Sequence, residues 1–173
     1  MKYTLSKSLE IIERTPKILF TMLLGLSEEW ITCNEGESTW NTKEVIAHLI
    51  VCENTNWVPR IRIMLSNSTN KTLDLVDMSA HFKIAKENSL EALLNEFKML
   101  RDKSVTEVKK FNLQNADYAN LAFHPKIFEV NLQQLIATWV THDLSHLTQI
   151  SRVMAKRYKN EVGAFKEYLK ILK

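Results

Sequence analysis

Asn131-Leu132-Gln133-Gln134-Leu135-Ile136-Ala137-Thr138-Trp139-Val140-Thr141-His142-Asp143-Leu144-Ser145-His146 decides the fold. Asn131 and Gln134 stand three apart, the spacing of a reciprocal helix cap. From there Leu135, Ile136, Trp139, Val140, Leu147, Ile150 and Met154 recur at steps of three and four, which predicts one long amphipathic helix with a buried stripe. His142 and His146, four apart, project close to Leu135 and Val153, at the edge of the buried face. Asp143 falls inside the apolar arc, where a carboxylate needs a partner.

Three further stretches carry the same pattern. Leu5, Leu9 and Ile12, then Ile18, Leu19, Met22 and Leu23, form two pieces divided at Thr15-Pro16; Thr15 reads as a cap, and Gly25 as the stop. A helix opening at Asn41-Thr42-Lys43-Glu44 places Val45, Leu49, Asn56 and Ile63 on one face, and Pro59 should kink it or end its regular part. A third helix, capped by Asn88 with Glu91, carries Leu90, Leu93, Leu94, Phe97 and Leu100. Residues 161–172 read as a short docking helix, and nothing reads as a strand. Three glycines and three prolines leave little room for a many-stranded fold. The expectation is a single all-α domain over residues 1–173, a four-helix bundle with short extra helices.

A net charge of +3 with interspersed signs argues against a nucleic-acid groove. The basic run Lys156-Arg157-Tyr158-Lys159 reads as the cationic end of a helix. No apolar run is long enough to span a membrane, and the first residues lack a signal peptide's apolar block. Cys33 and Cys52 make no disulfide framework, so a reduced, cytoplasmic setting is expected.

The histidines carry the chemistry. Two imidazoles four apart on a helix can reach one metal ion; a hydrogen-bond network is the alternative. His48 flanks the apolar stripe of the second helix and reads alone as a satisfied core histidine. If the second and fourth helices face each other, His48, His142 and His146 offer three nitrogens to one ion, with positions left open for water or substrate. Cys52, four residues on, could add a thiolate, although a small buried hydrophobe is its plainer reading. Asp143 either orients a ligand histidine from behind or caps a helix end. Gln149 could line the pocket. Arg60 and Arg152 are candidate anion contacts, with surface ion pairs as the alternative. Gly-rich phosphate loops and the Gly-x-Ser-x-Gly elbow are missing. His142-Asp143-Leu144-Ser145-His146 lacks the glutamate of the zinc-protease motif.

These residues resemble the DinB-like superfamily of small four-helix-bundle proteins. The resemblance rests on His124-Pro125 with the run Leu135 to Ala155, on Trp40 to His48-Leu49 with Glu53, Trp57, Pro59 and Arg60, and on Thr15-Pro16 and Val162-Gly163. It implies a bundle of unusual helix order, commonly a homodimer, holding a divalent zinc or nickel ion. By position the ligands are His48, His142 and His146. Relatives include metal-dependent transferases and hydrolases that use low-molecular-weight thiols, so such a thiol is a candidate substrate. A non-catalytic metal-binding or dimerising bundle is the alternative. Phe128 stands where this branch usually has glycine, which bears on the shape of the loop. His81 and His124, outside both helices, are expected to be bystanders. Metal affinity is expected to fall as pH drops through about 6.

Overall fold

The computed structural model describes residues 2–173. Its first arm is α1 (Leu5–Ile12) and α2 (Thr15–Leu23), followed by a single turn, α3 (Glu28–Ile31). The second arm is α4 (Thr42–Thr55) and α5 (Trp57–Leu65). A short α6 (Ala80–Glu87) precedes the third arm, α7 (Leu90–Lys110). A hairpin of β1 (Leu121–His124) and β2 (Phe128–Asn131) leads into the fourth arm, α8 (Leu132–Lys156). The architecture is therefore the expected helical bundle.

The caps explain most of the boundaries. At Asn41/Glu44 and Asn131/Gln134 both halves of the reciprocal cap form. At α7 the cap is Ser89, whose hydroxyl accepts from Ala92 N, and not Asn88. The Asn88 amide instead donates to Ile84 O, closing the end of α6, a helix the periodicity did not reveal. The first arm breaks where Pro16 requires, but Thr15 lies within the first turn of α2 and donates back to Ile11 O. In the second arm the break falls at Asn56 and not at Pro59. Pro59 is the third residue of α5, where its missing N–H leaves no intrahelical bond unmade. Gly25, at φ +82°, follows α2 in the left-handed conformation that stops a helix.

The hairpin corrects the expectation of no strand. Leu121 to His124 pair antiparallel with Asn131 to Phe128, too short a stretch to show a period of two. Leu73 N donates to Phe123 O and Phe123 N to Lys71 O, so β1 is covered on its outer edge. The last segment is two runs of tight 3-10 turns (Gly163–Tyr168 and Lys170–Leu172), and Leu172 is buried against the body.

The core divides into two apolar clusters. One contains Ile12, Trp57, Ile61, Val105, Leu132, Ile136 and Trp139. The other contains Leu19, Leu23, Val45, Leu49, Leu94, Phe97 and Ile150. Trp57 and Trp139 stack with ring centres 5.4 Å apart. Both are fully buried and Trp30 and Trp40 partly so, which means the tryptophans do not form an exposed aromatic surface. Between the clusters, at the level of Glu53 on α4, Arg101 on α7 and Asp143 on α8, the interior is polar.

Candidate metal centre

Residues four apart share a helix face, so α4 presents His48 with Cys52 and α8 presents His142 with His146. The two helices pack so that these pairs meet. His48 Nε2 lies 3.3 Å from His142 Nε2, and His142 Nε2 lies 3.1 Å from His146 Nε2. All three residues offer a ligand atom within 4.8 Å of the others. Cys52 Sγ sits 3.4 Å from His48 Nε2 and 3.9 Å from His142 Nε2. His48 and Cys52 are buried, while His142 and His146 are partly exposed, so the cluster lies at the rim of the interior. Trp40 covers it on one side, with its ring 4.9 Å from that of His48 and stacked on His146 at 6.4 Å. Trp57 meets His142 edge-on at 5.1 Å on the other.

Electrostatics keep the rings neutral. Burial, with the neighbouring imidazoles His146 and His81, lowers the pKa of His48 to about 4. Burial, with His146 and His48, lowers that of His142 to about 3. His146 is also lowered by burial, against the raising effect of its bond to Gln149. At neutral pH all three present lone pairs, as metal ligation requires. Gln149 Oε1 lies 2.8 Å from His146 Nδ1 and can only accept, so it holds the proton on Nδ1 and frees Nε2 to face the other rings. The buried Nδ1 atoms of His48 and His142 have no hydrogen-bond partner.

This donor set fits a divalent ion. At metal–nitrogen distances of roughly 2.0–2.1 Å, the edge of a tetrahedron is about 3.3 Å. The observed separations of 3.3 and 3.1 Å need little adjustment to reach it.

The other candidate residues are engaged elsewhere. Both Asp143 oxygens bond Arg101, at 2.5 Å to one terminal nitrogen and 3.0 Å to the other, so the carboxylate neither bonds a histidine nor caps a helix end. Arg101 also donates from Nε to Glu53 Oε1 at 2.8 Å and from a terminal nitrogen to Ile12 O at 2.7 Å. Its guanidinium lies over Phe97 and Trp139. Burial disfavours its charge, but Glu53 and Asp143 outweigh that and raise its pKa. Burial raises the pKa of Glu53, against the lowering effect of Arg101. This network ties together the two helices that carry the histidines, and Asp143 acts on the site through it. Gln149 spends its carbonyl oxygen on His146. Arg152 makes a two-pronged ion pair with Glu35 at 2.6 and 2.7 Å, joined by Lys156. Arg60 is buried and donates to Asp74 O, leaving its Nε unpartnered.

Two features escaped the sequence reading. Arg101 follows Phe97 by four residues and continues the apolar stripe of α7, so its position could have been read as a buried charge seeking Asp143. His81 is not among the converging donors, yet it packs beside them. It is fully buried on α6, its ring 4.2 Å from Trp40 and 5.8 Å from His48, with neither nitrogen partnered. No sequence signal placed α6 there. His124 lies on the hairpin, where its Nδ1 accepts from Lys126 N.

Comparison with known proteins follows the same lines. A profile described as the DinB superfamily matches residues 11–150. No curated protein matches the sequence. Among solved structures, YfiT from Bacillus subtilis superposes with a TM-score of 0.74 at 16% identity, over 90% of each chain. That protein is described as a probable metal-dependent hydrolase with an unusual four-helix bundle topology. At this identity the likeness speaks for the fold. The profile match over most of the chain, together with the bundle, shows that this protein belongs to the DinB superfamily.

Proposed function

We propose that the protein is a divalent-metal-dependent enzyme whose metal, zinc or nickel, is held by His48, His142 and His146. The observation that carries this reading is the meeting of three neutral imidazoles, drawn from α4 and α8, with ligand nitrogens all within 4.8 Å of one another and two of the separations, 3.3 and 3.1 Å, near the edge length of a tetrahedron. When bound, such an ion supplies Lewis acidity and an ionised water or thiol at neutral pH. Hydrolysis is the leading reaction class, supported by the description of the structurally similar YfiT. Transfer to or from a low-molecular-weight thiol uses the same donor set. Gln149 orients His146, Arg101 holds α4 against α8, and Trp40 and Trp57 limit the access of water. Two free cysteines fit a reduced, cytoplasmic setting.

Elemental analysis of protein purified without a metal-affinity tag, then a hydrolase and thiol-transfer screen of the loaded form, tests this. One tightly held zinc or nickel per chain with metal-dependent turnover is expected. Stoichiometric metal with no turnover across the screen would favour a non-catalytic metal-binding bundle. We also propose a homodimer, supported by the exposed apolar side chains Leu121, Phe123, Ile127 and Phe128 on the hairpin. Light scattering that returns a monomer at high micromolar concentration would refute it.

A further inference from the structure

An imidazole binds metal best through one nitrogen when the other holds the proton and donates it to a fixed acceptor. Gln149 provides that acceptor for His146. His48 lacks one: its Nδ1 is buried and unpartnered. The polar ring packed against His48 with nitrogens to spare is His81 of α6. His81 is fully buried, and neither of its nitrogens has a partner. Buried polar atoms are seldom left unsatisfied, and here three of them belong to two rings in contact. The ring centres stand 5.8 Å apart, with the planes at 84°. Imidazoles joined by a direct N–H···N bond have centres roughly 5 Å apart, and one bridging water widens that to roughly 7 Å at most. The observed spacing falls between the two. Trp40 braces both rings, 4.2 Å from that of His81 and 4.9 Å from that of His48. Burial lowers the pKa of His81, against Glu44 and Asp77, so its ring keeps a lone pair. His124 gives the contrast: out on the hairpin, its Nδ1 already accepts from Lys126 N.

We infer that His81 is a positioning residue for His48. One of its nitrogens accepts a hydrogen bond from His48 Nδ1, directly or through one water. That bond fixes the proton on Nδ1 and leaves the Nε2 lone pair facing His142. The purpose of this arrangement rests on the metal reading above; the hydrogen bond itself does not. His81 stays outside the coordination sphere, so the position left open for water or substrate remains open. The short helix α6 thereby becomes part of the site.

The tautomer of His48 tests this in the metal-free, full-length protein. Two-bond proton–nitrogen NMR spectra of isotope-labelled histidine separate Nδ1–H from Nε2–H, and His48→Gln assigns the signal. A neutral imidazole in water prefers Nε2–H, so Nδ1–H at His48 needs a cause. The wild type should show Nδ1–H at His48. His81→Phe, which keeps a flat ring and no acceptor, should shift His48 to Nε2–H. It should still take up one zinc at stoichiometric concentrations, with an affinity lower by about 10–100-fold. His81→Asn and His81→Gln place an acceptor near one or the other nitrogen position, and at least one of them should restore both tautomer and affinity. Nε2–H at His48 in the wild type, or Nδ1–H persisting in His81→Phe, overturns the role of His81 and leaves the histidine site standing. The expected tautomers in a wild type that binds neither zinc nor nickel uphold the role of His81 and overturn the metal reading. Circular dichroism checks each variant. Should His81→Phe lose helix content, His81→Leu, smaller and equally without an acceptor, takes its place in the same comparison.

Discussion

Metal content of single variants separates the roles of the five histidines. His48→Ala, His142→Ala and His146→Ala each remove a converging donor and should weaken metal binding by orders of magnitude, while His124→Ala, out on the hairpin, should keep it. His81→Ala should also retain metal, but it opens a cavity beside Trp40 and should lower stability by about 1–3 kcal/mol. If His124→Ala loses metal and His48→Ala keeps it, the assignment fails. The pH dependence follows from burial. His48 and His142 protonate near about 4 and about 3, so protons begin to compete with metal well below the pH of 6 expected of solvated imidazoles. For the metal-free chain, the unfolded state takes up protons below about 6.5 and the folded state does not. Stability should therefore fall as pH drops from about 6.5 toward 4, and His142→Ala should flatten that slope. A melting temperature of the metal-free protein that is constant across this window would contradict it. The pairing of His142 with His146 was legible because four-residue spacing fixes a helix face. The partner of Asp143 was not, because it lies 42 residues away on α7 and only packing brings it near.

Phe128 shows what an element demands of its sequence. It holds φ at +65°, at the start of β2, in the left-handed region that costs a side chain about 1–2 kcal/mol. It is exposed, with only an edge contact to Phe123 at 6.4 Å, so its ring recovers little of that cost. Phe128→Gly should relieve the strain and, after the entropy a glycine loses on folding, raise the melting temperature by about 1–4 °C. A fall on substitution would show that the Phe123–Phe128 contact outweighs the backbone. The same turn explains why the hairpin went unread. Four residues per strand are too few for alternation to show, whereas the 25 residues of α8 repeat their pattern many times. Helix caps were legible where an Asn and a Glu or Gln stand three apart, at Asn41 and Asn131. At Asn88 the same spacing misled by one residue, because Ser89 competes for the position and Asn88 finds work ending α6.

Across the whole molecule, the bundle is two apolar clusters joined by a charged seam. Arg101→Ala would leave Glu53 and Asp143 buried without their cation and should cost about 3–5 kcal/mol, measured by chemical denaturation. Replacing all three together, Glu53→Leu with Arg101→Met and Asp143→Leu, should return stability to near that of the wild type. If the seam also sets the spacing of α4 and α8, the triple variant should fold yet bind metal more weakly; unchanged affinity would limit the seam to stability.

That seam constrains how the sequence can drift over generations. Each of its three positions is locked by the other two, and the apolar arrangement that could replace it is reached only through intermediates that bury a lone charge. Descent should therefore pass the three residues on as a block. Related chains should carry the whole ionic set or none of it, and a lineage with only one member changed should also show a second substitution nearby that supplies a partner for the orphaned charge.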